Sequence, residues 1–407
     1  MKIKPFAALC PAPARAASVA ALPYDVMDTS EARTLAAGNP DSFLRVSRPE
    51  IDLPASIDIH DDVVYAQGVK NLRDFQARGV LIREPGERLY IYRQVMGAHS
   101  QTGLVTCCHI DDYAQDVIRK HEKTRKDKED DRTRHCLELN ANSGLVFLTY
   151  RGVAAIDCLV AQTIAGVPLY DFTAVDGIRH TVWRVAGAAE PWIQAFAAVP
   201  CCYVADGHHR AAAAARAGRM RRESNPKHTG CEEYNWFLAA LFPAAQLRIL
   251  PYNRCVRDLN GLSPEAFLQQ VGRIFTCEPA SAAEPAGPRQ VHMYFAGRWY
   301  RLSWPEVVGG DPVGRLDVSV LQNRLLASVL GIDDPRTSQR ISFVGGIRGT
   351  SELVKRVDSG REAVAFSLYP VSVDQMMDIA DAGQIMPPKS TWFEPKLRSG
   401  LLVHTLE

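Results

Sequence analysis

Between Cys201 and Gly218 the chain carries its sharpest concentration of chemistry. An apolar run, Cys201-Cys202-Tyr203-Val204-Ala205, leads into Asp206-Gly207-His208-His209-Arg210 and then into five consecutive alanines, Ala211 to Ala215. The run has strand composition and alanine is the strongest helix former, so the polar residues fall in a strand-to-helix turn, with Gly218 expected just past the helix end. Asp206 is a good N-cap type, and Gly207 lets a ligand approach the backbone. A helix start offers unpaired N–H groups and the positive end of the macrodipole. Arg210 and two imidazoles at that point make a site suited to an anion, most simply a phosphate.

A second concentration runs from Ile118 to His135. Residues 117 to 135 hold eight basic and five acidic side chains, which usually means a solvated helical face laced with i,i+4 pairs. Lys120, His121 and Glu122 nevertheless put a cation, an imidazole and a carboxylate side by side, a mixture suited to phosphate neutralisation and acid/base work. Read as a helix, His121, Thr124, Arg125, Lys128, Arg132 and His135 share one broad face. Arg125 stands where His-Glu-x-x-His would need its second histidine, so this is not a metalloprotease signature. Asp25, in Leu22-Pro23-Tyr24-Asp25-Val26, is either a turn former or a positioned base or metal ligand. Tyr92-Arg93-Gln94 and His99 to Gly103 add a polar loop with a scaffold role.

Several chemistries are excluded. No Gly-x4-Gly-Lys-Ser/Thr, Gly-x-Gly-x-x-Gly or Gly-x-Ser-x-Gly occurs, which removes Walker-type, dinucleotide-fingerprint and α/β-hydrolase readings. The ten cysteines form no Cys-x-x-Cys pair, so they read as reduced core residues. Lys plus Arg is 47 against 46 for Asp plus Glu, so there is no overall pull toward nucleic acid or an anionic membrane. No run of 18 apolar residues suggests a membrane span, and the short apolar stretch from Phe6 to Cys10 reads as a first strand rather than a secretion signal. These features favour a cytoplasmic address.

The elements that must position these groups alternate between helix and strand patterns over 407 residues that are 46% hydrophobic, which predicts an α/β or α+β fold of two or three domains. Expected elements include a helix over 63–79, strands at 89–92, 103–108 and 145–150, and a loop over 97–102. Residues 279–289, with three prolines among small residues, read as a linker. The expected division is a phosphate- or nucleotide-binding part at 1–280, a linker at 281–290 and a C-terminal α+β domain at 291–407. In the last part a hairpin turns at Ala296-Gly297, helices cover 318–330 and 373–382, a strand covers 363–368 and a loop covers 386–400.

Pro23-Tyr24-Asp25-Val26, Asn39 to Leu44, Val46 to Glu50, Tyr92-Arg93-Gln94, Lys120 to Thr124, Ala205 to Arg210 and Pro387 to Thr391 together resemble the bacterial family called domain of unknown function 1015. The blocks are spread over essentially the whole chain. The turn Asp206 to Arg210 is also similar to the phosphate-binding turn of the ParB and sulfiredoxin superfamily, in which Gly207 and Arg210 match the Gly-x-x-Arg signature. His208 stands where sulfiredoxin needs its cysteine. That resemblance implies a ParB/sulfiredoxin-like mixed sheet with helices and a phosphotransferase most like a free-serine kinase.

On this reading Lys120, Arg125, Asp206, Gly207, His208, His209 and Arg210 bind the phosphate or nucleotide, and Asp25, His121 and Glu122 handle protons. Metal ligands are unassigned. Mg²⁺ and ATP, ADP or pyrophosphate are the expected cofactors. The expected partner is a small-molecule substrate, without nucleic acid or membrane, and a homodimer is the candidate assembly. The alternative is a nucleotide-sensing regulatory or partition-like protein with little turnover.

Overall fold

The computed structural model describes residues 1–306 and 311–407. It divides into two units, Met1–Leu247 together with Pro395–Glu407, and Arg248–Glu394. Both mix sheet and helix, in line with the α+β expectation. The division differs from the expected linker at 281–290: residues 280–289 form a loop inside the second unit, between the strands Thr276–Pro279 and Gln290–Phe295. Prolines among small residues mark irregular backbone, and they do so whether the loop joins domains or hairpin neighbours.

The first unit is built on a mixed sheet. Its path runs Ile118–Arg119, Cys202–Asp206, Val146–Tyr150, Trp236–Pro243, His99–His109, Tyr90–Met96, Arg179–Arg184 and Tyr170–Thr173, with Ile3–Lys4 also pairing His99–His109. Cys202–Asp206 runs parallel to Ile118–Arg119, and Trp236–Pro243 parallel to Val146–Tyr150. The central strands are apolar on both faces because helices cover them, and Leu104, Leu148, Val204, Phe237 and Leu241 lie in one core.

The alanine helix spans His208–Ser224 and buries Ala211 to Ala215, Ala217 and Gly218. Small side chains let its backbone lie close to the sheet and to the helix Lys126–Leu139. It does not stop at Gly218, as the sequence suggested. A Cβ there would stand 2.3 Å from the Tyr234 carbonyl and 2.6 Å from Ile110 Cδ1, so this glycine permits a close approach rather than a cap.

The charged run is only partly helical. Its helix begins at Lys126, after the strand Ile118–Arg119 and a turn through residues 120–125. The expected loop over 97–102 is instead a tight hairpin. Met96 pairs with His99, and Gly97 takes the left-handed turn conformation with φ +59°. Polar composition disguised these strands, since Gln101 and Gln94 are fully buried and bonded to each other at 3.0 Å.

The second unit carries a six-stranded sheet in the order Thr276–Pro279, Arg298–Ser303, Gln290–Phe295, Val364–Leu368, Tyr252–Val256, Ile341–Gly345. Every pairing in it is antiparallel. The hairpin at Ala296-Gly297, the strand Val364–Leu368 and the helix Val373–Asp381 fall where the pattern placed them. The expected loop at 386–400 contains a short strand, Trp392–Glu394, before the chain returns to the first unit. Among the described residues, no helix is long and apolar enough to cross a membrane.

Candidate functional site

The strand Cys202–Asp206 ends in a register shift between Val204 and Asp206. Such a bulge re-aims the side chain that follows it, and here it delivers Asp206 to the mouth of the alanine helix. Gly207 is the helix N-cap with φ +89° and ψ +34°, a left-handed conformation that glycine adopts without strain.

The Arg210 side chain folds back over that glycine. A Cβ on residue 207 would stand 3.0 Å from Arg210 Cζ. Nη1 donates to the Leu145 carbonyl. Nη2 lies 3.6 Å from Asp206 and 3.9 Å from Asp25, beyond hydrogen-bond reach. Nε and Nη2 are buried and have no hydrogen-bond partner among the described residues. Two unmet donors on a buried cation are costly, about 1–3 kcal/mol for each group.

Asp206 also faces Lys396, whose Nζ is 3.3 Å away. Burial alone would raise the Asp206 carboxyl, but Lys396 and Arg210 outweigh it and hold it below the usual carboxylate range. Asp25 sits in a one-turn helix, Tyr24–Val26, with its side chain 34% exposed. The apolar neighbours in its sequence suggested burial, yet the turn carries the carboxylate outward. Arg48 fixes this turn by donating to the Tyr24 carbonyl at 2.7 Å. Arg132 lies 4.3 Å above the Tyr24 ring.

Next to these groups is a narrow cleft lined by Tyr24, Ser47, Arg132, Ser143, Gly144 and Arg210, among others. Its cavity volume is only about 40 Å³, room for a few water molecules.

The expected residues distribute unevenly around the turn. His121 stands edge-on to His208, with ring centroids 4.4 Å apart at 88°. Glu122 Oε2 is 3.7 Å from His208 Nδ1. Burial pushes the His121 imidazole down to about 4 and His208 well below its usual value, so both rings are neutral at pH 7. The backbone N–H of Arg125 donates to His209 Nε2 at 3.1 Å, but its guanidinium turns outward to Asp127. Lys120 departs from the expected cluster. It pairs with Asp116 at 2.5 Å, donates to the Tyr113 carbonyl and covers the Tyr113 ring.

Lys396 was not foreseen. It follows a stretch that reads as a featureless loop, and no local spacing ties it to a turn 190 positions earlier in the chain.

A family model described as protein of unknown function (DUF1015) matches residues 3–319. The chain belongs to this family. For this DUF1015 chain, a search of curated proteins finds no match. The chain also has distant likenesses among solved structures. A free serine kinase in complex with AMP is 10% identical, with 73% of this chain and 91% of that chain covered and a TM-score of 0.38. SbnI with a C-terminal truncation, from Staphylococcus aureus, is 12% identical over 74% and 87% of the two chains, with a TM-score of 0.40. A conserved hypothetical protein from Pyrococcus furiosus is 9% identical over 73% and 94%, with a TM-score of 0.36.

Proposed function

We propose that the chain is a small-molecule phosphotransferase whose donor phosphate, from a nucleotide or pyrophosphate, rests on the Asp206–Arg210 turn. The observation that carries this reading is Arg210, with two buried, unpartnered N–H donors at the start of a 17-residue helix. A guanidinium fork beside a helix N-terminus matches a phosphate in geometry and charge. The resemblance of the turn to ParB and sulfiredoxin phosphate-binding turns supports the same reading.

Charge balance defines what else is needed. Arg210 and Lys396 are offset by Asp206 and Asp25, which leaves the surroundings of the fork nearly neutral. Mg²⁺ takes oxygen ligands, and the Asp206 carboxylate, together with oxygens of the donor phosphates, would hold it. When bound, Mg²⁺ would supply the positive charge that neutralises a transferring phosphoryl group. Asp25, the more exposed carboxylate, would take the proton from the acceptor hydroxyl. A small hydroxyl compound such as a free amino acid is the acceptor class. The cleft must widen to admit it.

The test is calorimetry with ADP, ATP and pyrophosphate in the presence of Mg²⁺, followed by phosphorus NMR with hydroxyl amino acids as acceptors. Arg210→Lys keeps the charge and loses the fork. It should weaken donor binding by about 1.5–3 kcal/mol. Equal affinity in parent and variant, or no donor bound by the parent, overturns the reading.

A further inference from the structure

The His121, Glu122 and His208 side chains are not accounted for by phosphate binding. They come from the ends of two parallel neighbours. His121 lies two residues past the strand Ile118–Arg119, and His208 opens the helix that follows Cys202–Asp206. The topology therefore sets both imidazoles on one edge of the sheet, with Glu122 beside them. Their ligand-type atoms all lie within 4.8 Å of one another.

We propose that this triad binds a borderline divalent metal ion of the Zn²⁺ class. Zn²⁺ takes nitrogen ligands at about 2.0–2.1 Å and carboxylate oxygens at about 2.0–2.2 Å, so two ligand atoms in a tetrahedral shell stand roughly 3.4 Å apart. His208 Nδ1 and Glu122 Oε2, at 3.7 Å, already approach that spacing. Glu122 is 43% exposed on its side chain, so it can turn to close the set. Both imidazoles are buried, and the neutral ring is the form that ligates. The His121 ring is bonded to the backbone of Val204. A bond of this kind to a backbone carbonyl orients a metal-bound histidine.

His208 supplies the independent sign. It is 4% exposed, and its Nε2 is buried without a hydrogen-bond partner among the described residues. Nδ1 faces Glu122 at a distance longer than a hydrogen bond. An ion held on Nδ1 would give this buried, poorly satisfied ring one strong partner. A dication at a helix start opposes the macrodipole, and the carboxylates of Glu122 and nearby Asp206 offset that cost. Two nitrogens and one carboxylate suit zinc, cobalt or nickel rather than Mg²⁺. With three protein ligands, a fourth position stays open to water or a substrate oxygen. This inference shares the Asp206–Arg210 turn with the phosphate reading but rests on the His121 and His208 imidazoles and Glu122 rather than on Arg210, and on a different ligand.

The experiment uses the full chain, treated with chelator, in a Cys158→Ser/Cys231→Ser background that removes the two exposed thiols. Co²⁺ alone is titrated while visible absorption is followed, then Zn²⁺ is added in competition. The expected result is one equivalent of Co²⁺ with a tetrahedral-type visible spectrum, displaced by Zn²⁺ but not by excess Mg²⁺. Glu122→Gln, at a half-exposed position, should keep the melting temperature of the metal-free protein and weaken Co²⁺ by about tenfold or more. His208→Gln should abolish the visible band. No saturable Co²⁺ binding in the parent, equal binding in Glu122→Gln, or displacement by Mg²⁺ each overturns the proposal.

Discussion

Arg210 lies across Gly207 so closely that a Cβ on the glycine would stand 3.0 Å from the guanidinium carbon. The glycine does two jobs at one point. It turns the chain from strand to helix at φ +89°, and it leaves the space through which the guanidinium reaches the Leu145 carbonyl.

Gly207→Ala therefore meets two penalties. The left-handed backbone costs a non-glycine residue about 1–2 kcal/mol, and the added methyl pushes Arg210 from its seat. Gly38→Ala, at φ +70° in open space, meets only the first. Denaturant unfolding should show both variants destabilised. Calorimetry should show weakened donor binding only for Gly207→Ala.

Asp25→Asn is expected to preserve the fold, because the carboxylate is partly exposed and its turn is held by Arg48 through the backbone. Turnover should fall by about 10²–10⁴, the usual contribution of general acid/base catalysis. A phosphoryl-transfer assay with melting temperature as control checks this. A variant as fast as the parent removes Asp25 from proton transfer.

Gly218→Ala sets helix propensity against packing. Alanine gains about 1 kcal/mol over glycine in a helix interior. Here its methyl would stand 2.3 Å from the Tyr234 carbonyl, and backbone cannot yield as a side chain tip can. Overpacking costs about 1–3 kcal/mol, so the variant should be less stable than the parent in urea. A gain in stability would show that the helix can shift away from Tyr234.

His135 makes stability pH-dependent. Burial, with Arg132 nearby, pushes its imidazole from 6.5 down to about 3, against the pull of the Val46 carbonyl and Asp131. The folded ring refuses a proton that the unfolded chain accepts, so between pH 6.5 and about 3 the unfolded state binds more protons. Stability from this group is complete above pH 6.5 and falls as the solution is acidified through that window. His135→Gln should flatten the slope of unfolding free energy against pH by up to about 1.4 kcal/mol per unit, as measured by urea titrations at several pH values.

The turn at Asp206–Arg210 was legible because its signals are local. Strand composition, a glycine among polar residues and an alanine run follow one another within fifteen residues. The hairpin at Ala296-Gly297 was legible for the same reason. Lys120 was misread because charge composition does not reveal direction; its ammonium finds Asp116 and the Tyr113 ring before it finds the turn. Gly218 was misread because the Tyr234 backbone that demands it is remote from the helix pattern. Lys396 was missed because it joins the site through chain topology alone.

That topology also has a timing. Pro395–Glu407 completes the first unit only after Arg248–Glu394 has been made. It brings Lys396 to Asp206 and pairs Val403 with Leu9. At roughly 5–20 residues per second, synthesis of the intervening unit takes on the order of ten seconds. For that interval on the ribosome, the nascent first unit holds Asp206 without its lysine, and Leu9 without the segment that covers it. The growing polypeptide thus carries a window of vulnerability to chaperones and proteases that lasts until residues 395–407 have been added.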